Sequence, residues 1–360
     1  MDGISSRSFH AFSKAGAWDS DRDQEFARLY SEGLCPGRVM AANRNLFRIK
    51  TGQGDVEGTV AGKLLLEANK EAFPTVGDWT AVDVIGAQAV IRHVLSRRSC
   101  FSRQTAGRKI EEQVVAANLD YVLIALRLDG DYNHKRLDGY QVQACHGCAQ
   151  PVVVLTKADL CADVCAYLAR TQSELNPNVR VHAISSVTGY GLSEMDPYLQ
   201  PGTTSLLIGS SGVGKSTFIN RILGNNAART GVVSPGNGRG RCTTTGTQAF
   251  ETGAGACLID SAGMREMQLW TNAAHFGRAF EDIQALAARC RFRDCAHKGE
   301  PGCAVAAALS EGELTQERFL NYVKLREELG QTKKARLRAK EDRFRKVAIL
   351  ARQQRRMRLK

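Results

Sequence analysis

Residues 204–220 read TSLLIGSSGVGKSTFIN: an apolar run, a Gly-rich turn ending in Gly-Lys-Ser, and the start of a helix. Gly209 to Ser216 match G-x-x-x-x-G-K-S, with the preceding strand and following helix that the motif requires. The glycines let the backbone wrap so that its N–H groups converge on phosphate oxygens, and the helix N-terminus adds the positive end of its dipole. The expected phosphate-binding set is Gly209, Ser210, Ser211, Gly212, Val213, Gly214, Lys215, Ser216 and Thr217. Within it, Lys215 neutralises the β- and γ-phosphates and the Ser216 hydroxyl ligates Mg²⁺.

Upstream of this loop, Thr156-Lys157-Ala158-Asp159 closes the apolar run PVVVL. Guanine presents N1–H and its exocyclic amine side by side. A carboxylate accepts both at once, and adenine has no such pair. Asp159 is therefore the expected guanine selector, with the Lys157 stem lying over the ring. Taken alone, TKAD is equally well explained by an Asp capping a helix after a strand. A second segment favours guanine: VHAISSVTGYG (181–191) is a strand ending in small polar residues. There Ser185 and Ser186 would offer a backbone N–H to the guanine carbonyl.

Downstream, SPGNGRGRCTTTGTQAF (234–250) leads into the strand ACLID and Asp260-Ser261-Ala262-Gly263. A threonine and a D-x-x-G turn in this order are what a nucleotide switch needs, one ligating Mg²⁺ directly and the other through water. Thr243, Thr244 and Thr245 are the candidates, and Thr244 is the one chosen. The expected magnesium set is Ser216, Thr244 and Asp260, and the catalytic set is Lys215, Thr244, Asp260 and Gly263. All elements of a GTP-binding domain are present, but the base selector precedes the phosphate loop. That order is a circular permutation, which costs little because native chain ends often lie close together.

Apolar strands at 121–126, 152–155, 181–184, 205–209 and 256–260 alternate with helical stretches. This is the grammar of a doubly wound, mainly parallel α/β sheet. Sites in such sheets lie at the C-terminal strand ends, where every motif above falls. Residues 35–105 instead carry short β-like runs between Gly and Pro turns, suggesting an OB-type barrel or another small β-domain, and OB barrels often bind RNA. Residues 1–34 read as a mobile extension, 97–109 as a basic linker, 106–275 as the nucleotide domain, 276–332 as helical and metal-binding, and 333–360 as a basic tail.

Net charge is +12. Between Lys333 and Lys360 thirteen Lys/Arg face two acids, a net +11, so the remainder sums to about +1. Such a tail fits a polyanion such as nucleic acid, or simply a solvated helix. No run of about 18 apolar residues exists, so no membrane span is expected. The N-terminus lacks an apolar signal stretch, and a cytoplasmic location follows as the expectation. Eleven cysteines, unevenly spaced in a long chain, argue for metal ligands and buried thiols over disulfides.

Cys290-RFRD-Cys295-A-His297-KGEPG-Cys303 places three thiols and one imidazole within fourteen residues. Zn²⁺ favours such a Cys₃His set, and with no open position the site should be structural. Cys145-His146-Gly147-Cys148 is a weaker metal or redox candidate, because no second ligand pair lies near it in sequence. Cys161 and Cys165 stand at helical spacing, as a packing face would.

The permuted order, GSSGVGKST, the triple threonine, DSAGMRE and the Cys₃His cluster together resemble the ribosome small subunit-dependent GTPase A family (RsgA/YjeQ), over roughly residues 35–330. The resemblance implies an OB-fold, a permuted GTPase and a zinc domain in a monomeric cytoplasmic protein. It also implies late maturation of the small ribosomal subunit, with rRNA as partner and GTP hydrolysis stimulated by the subunit. Ras-like enzymes place a Gln after D-x-x-G to orient the attacking water; here that residue is Met264. The family's candidate substitute, a His before the threonines, is Cys242 in this chain. Slow basal hydrolysis is the expectation. A GTP-dependent RNA-binding checkpoint with negligible hydrolysis, an ATP-using enzyme and a plain zinc and OB nucleic-acid module are the competing readings.

Overall fold

The structure, a computed structural model, describes residues 18–30, 33–43, 45–67, 73–104, 112–128, 137–224, 228, 246–261 and 273–330. Five strands close the N-terminal barrel: β1 (Cys35–Asn43), β2 (Leu46–Thr51), β3 (Gly54–Val60), β4 (Trp79–Ile85) and β5 (Gln88–Val94). β1–β2, β2–β3, β4–β5 and β1–β4 are antiparallel, and β3–β5 is parallel. Alternate residues turn inward, so Val39, Phe47, Ile49, Val60, Val82, Ala89 and Ile91 fill the interior. The order 1-2-3-5-4 closing on 1 is that of an OB-type barrel.

Helix α1 (Ser20–Tyr30) corrects the expectation of a mobile extension for that part of 1–34; residues 1–17 and 31–32 lie outside the described residues. Trp18 and Phe26 pack with Leu34, Trp79 and Leu95 in a core of their own. The Trp18 ring meets that of Trp79 edge-on, centroids 4.9 Å apart. A short helix α2 (Gly62–Glu67) follows β3.

The basic stretch 97–109 is likewise no mere linker where it is described. Arg97 forks onto fully buried Asp78 (Nε 2.7 Å, Nη2 2.6 Å), whose carboxyl burial pushes up in pKa. Then β6 (Cys100–Gln104) pairs with β7 (Glu112–Ala117), a hairpin that crosses the boundary expected at 105.

The α/β domain contributes β8 (Tyr121–Arg127), helix α3 (Leu137–His146), β9 (Gln150–Thr156), α4 (Val164–Glu174), β10 (Arg180–Ala183), β11 (Thr204–Gly209), α5 (Lys215–Leu223), β12 (Gln248–Glu251) and β13 (Cys257–Asp260). Sheet order is β10-β9-β8-β11-β13-β12, parallel except for β12. The chain winds outward from β8 to β10, then returns to β11 on the other side of β8. The switch point between β8 and β11 is where such sheets bind ligands. Apolar residues cover both faces of the sheet, as strands buried on two sides require.

Helices α6 (Ala273–Ala279), α7 (Glu281–Ala287), α8 (Ala304–Glu311) and a helix over 316–330 form a separate core around Phe276, Phe280, Ile283, Val305 and Tyr322. Val142 of α3 belongs to this core, which seats the helical unit on the α/β domain. Arg318, 2% exposed, lies 4.3 Å from the Phe280 ring centre and bonds both Asp282 oxygens and Ala279 O.

Candidate nucleotide and metal sites

β11 ends at Gly209, and the chain turns into α5 within six residues. At Gly209 a Cβ would stand 2.7 Å from Ala125 O of the neighbouring strand, so only glycine fits. Gly214, at φ +102°, is the N-cap of α5 and brings no side chain to its first-turn N–H groups. A helix start of this kind, with the dipole behind it, favours an anion. Lys215 is buried, and its Nζ donates to Gly209 O (2.9 Å) and Ser210 O (3.1 Å) across the loop. A buried ammonium donating to loop carbonyls is an arrangement that a phosphate group strengthens electrostatically. Ser216 is half-buried and Thr217 exposed on the first turn.

The base-selecting segment is tied to this loop. The Thr156 hydroxyl lies 2.6 Å from Val213 O and 3.0 Å from Leu126 O, buried and donating across β8 into the turn. Lys157 adopts the left-handed region (φ +59°), and Ala158 N donates to Ile184 O, which fixes TKAD against the 184–190 loop. Asp159 is exposed on the same rim. Ser185 is buried and its N–H is engaged by Tyr190 O at 2.9 Å, while its hydroxyl accepts from Thr188 N. The neighbouring Ser186 is half-buried.

Asp260, 1% exposed, ends β13 directly beside Leu207 of the phosphate-loop strand. Cys242, Thr243, Thr244, Thr245, Gly263 and Met264 lie outside the described residues, as does the tail 333–360.

Away from the sheet, the ligand atoms of Cys290, Cys295, His297 and Cys303 all lie within 4.8 Å of one another. A tetrahedral ion about 2.3 Å from sulfur and about 2.05 Å from nitrogen needs S···S edges near 3.8 Å and S···N edges near 3.6 Å. The structure has Cys290–Cys303 Sγ at 3.9 Å, and His297 Nδ1 at 3.7 and 3.6 Å from those two sulfurs. His297 sits in the left-handed region (φ +61°), in a turn braced by Glu300, which accepts from Ala296 N and Lys298 N. The donor set fits a soft or borderline cation such as zinc. Among the described residues this is the group close enough to hold an ion. Cys145 packs instead against the helical core, and burial pushes its thiol up to about 11.

A phosphate loop that follows its base-selecting strand in sequence, yet sits beside it in one parallel sheet, defines a circularly permuted GTPase. Comparison with known proteins carries this further. The RsgA GTPase family matches residues 94–270. Small ribosomal subunit biogenesis GTPase RsgA 2 of Lactiplantibacillus plantarum is 40% identical over 299 residues, covering 82% of this chain and 84% of that protein. Small ribosomal subunit biogenesis GTPase RsgA of Opitutus terrae is 39% identical over 323 residues, covering 86% and 88%. Crystallographic YjeQ from Thermotoga maritima superposes with a TM-score of 0.60 at 25% identity over 82% of this chain and 98% of that one. YloQ, a circularly permuted GTPase, gives 0.59 at 20% identity over 83% and 96%, a likeness of fold. The chain belongs to the RsgA GTPase family and is a GTP hydrolase. Among the described residues, no helix is long and apolar enough to cross a membrane.

Proposed function

We propose that this GTPase acts in the cytoplasm in maturation of the small ribosomal subunit, binding the subunit and its rRNA, and that the subunit stimulates its hydrolysis of GTP. The observation that carries the nucleotide half is the Thr156 hydroxyl on Val213 O, which joins base selector and phosphate loop in one site. The relatives' names support the ribosomal half.

Asp159 accepts the two guanine donors, and Ser186 offers its N–H to the carbonyl. Lys215 and the first turn of α5 hold the phosphates and stabilise charge spreading onto the equatorial oxygens. Ser216, Thr244 and Asp260 would hold Mg²⁺, which neutralises the phosphate oxygens when bound. The Cys₃His set would hold one structural Zn²⁺. Neither Met264 nor Cys242 offers a group able to orient water well, so the subunit must complete that part of the site. GTP turnover is measured with and without purified small subunits. Acceleration of about tenfold or more supports the reading, and equal rates refute it.

A further inference from the structure

Cys145-His146-Gly147-Cys148 is a motif that neither the nucleotide site nor the metal cluster uses. It closes helix α3. Ala149 N donates to Ala144 O at 3.2 Å, and Cys148 N to Cys145 O at 3.3 Å. This pair of bonds is a common helix ending, and it puts the residue before Ala149 in the left-handed region, where glycine is the usual choice. Here that residue is Cys148, at φ +60° and exposed. A thiol held where glycine normally stands points to a use for the side chain.

The turn also sets two thiols within bridging reach. A turn closed by an N–H onto the carbonyl three residues back brings its outer Cα atoms within about 7 Å. A disulfide spans Cα atoms about 4.4–6.8 Å apart. The turn is held from outside as well: Cys100 N, at the start of β6, donates to Gly147 O at 3.0 Å, and a Cβ on Gly147 would collide with Cys100 O. Cys145 and Cys148 are both thiols in this structure, and their surroundings differ. Cys145 is half-buried against the helical core, whereas Cys148 is open to solvent. A reagent therefore meets Cys148 first, with Cys145 behind it. Cys100, whose thiol burial also pushes up to about 11, is the other sulfur whose charge Cys148 would feel.

We propose that Cys145 and Cys148 form a reversible disulfide, with Cys148 as the entry thiol, Cys145 as the resolving thiol, and a low-molecular-weight disulfide such as oxidised glutathione as co-reactant. The Cys148 thiol gives its proton to solvent, and its sulfur attacks one sulfur of the glutathione disulfide. That S–S bond breaks and one glutathione thiolate leaves. Cys145 then gives up its proton and attacks the Cys148 sulfur; the mixed S–S bond breaks and the second glutathione thiolate leaves. The protein pair loses two electrons, the glutathione disulfide gains them, and the two released protons end on two glutathione thiols. The high pKa of Cys145 slows the closing step. It also leaves the reduced pair without the thiolate stabilisation that makes other C-x-x-C pairs strong oxidants, so the bridge resists reduction once formed.

Trypsin releases residues 137–157 as one peptide, because no Lys or Arg stands between Arg136 and Lys157, and that peptide holds Cys145 and Cys148 and no other cysteine. The full chain is equilibrated at stepped ratios of oxidised to reduced glutathione, trapped with iodoacetamide, digested and weighed by mass spectrometry. The peptide is expected to pass from two alkylated cysteines to a bridged form lighter than the dithiol by two hydrogens, and to return on treatment with dithiothreitol. Cys148→Gly installs the residue that the left-handed turn prefers, so the fold is kept, and it should slow the loss of the Cys145 thiol by at least about tenfold. Cys145→Ser should stop at a stable glutathione adduct on Cys148. A wild-type peptide alkylated twice at every ratio overturns the proposal. So does a wild-type chain that halts at the Cys148 adduct, or one that joins Cys148 to the Cys100 peptide, residues 99–103. Loss of the Cys145 thiol as fast in Cys148→Gly as in wild type overturns it too.

Discussion

Replacing Thr156 by valine keeps shape and volume but removes one hydroxyl. That hydroxyl has one proton, shared between Val213 O in the phosphate loop, the nearer at 2.6 Å, and Leu126 O on β8 at 3.0 Å. Leaving a buried acceptor unsatisfied costs about 1–3 kcal/mol. If the contact holds the loop ready for phosphate, part of that cost appears in nucleotide binding. A loss of 1–2 kcal/mol corresponds to a rise in Kd of roughly 5–30-fold. The effect should be nearly equal for GTP and GDP, because the contact lies beneath the loop and away from the γ-phosphate. Fluorescent-nucleotide titration measures both constants, and thermal melting measures the part that goes into folding. Thr156→Ser keeps the hydroxyl and should stay within about threefold of wild type. A Thr156→Val protein that melts lower but binds both nucleotides as tightly as wild type would refute the reasoning. The contact would then hold the fold and not the site.

Other consequences are as direct. Asp159→Asn replaces a two-fold acceptor by a group with one acceptor and one donor, so GTP should weaken by roughly 10–100-fold while ATP stays unchanged; competition against labelled GTP reads this. Cys303→Ser removes a proposed zinc ligand that also caps α8, accepting from Ala306 N at 3.4 Å. Bound zinc should fall from one equivalent to none, with a lower melting temperature and GTP affinity within about threefold, by metal analysis and calorimetry. Trp18→Ala removes a ring that is 8% exposed and packed on Trp79 and Phe26. It should cost about 3 kcal/mol in denaturant unfolding, whereas an unpacked extension would lose nothing measurable.

What could be read from the chain, and what could not, divides by the range of the interaction. The phosphate loop, TKAD and the cysteine cluster are local: each motif's spacing is also its geometry, so residues 209–216, 156–159 and 290–303 stand where their pattern puts them. Helix α1 is hard to read because SDRDQEFARLY is mostly polar, with five charged residues among eleven. Its signal is Phe26 and Leu29, three apart on one helical face, which pack with Trp18 just before the helix. Arg97 reads as a free cation until β4 brings Asp78 beneath it, nineteen residues away in sequence. Nor does Ser185 show that its N–H belongs to Tyr190 O, because a loop's internal bonds leave no periodic trace.

The permutation also decides which domain meets which switch. Within the α/β domain, β13 and β12 lie on one side of the phosphate-loop strand, and among the described residues they are the last two strands in sequence. The lateral edge of β12 is free to pair, and the barrel, which comes first in sequence, takes it through Ala41. The end of β13 is free to continue, and the chain runs on from Asp260 toward α6 and the metal-binding helices. Those helices rest on α3 through Gln141 Nε2 to Ala279 O and through Val142. Each candidate switch strand therefore has its own outlet, one by hydrogen-bonded pairing and one by covalent continuation. An unpermuted domain beginning at β11 would bury the second outlet, because its chain would have to run on from β13 to β8. Placing the chain break there leaves both candidate switch strands attached to neighbouring domains, which is the arrangement a protein needs if its nucleotide is to report on what the other two domains hold.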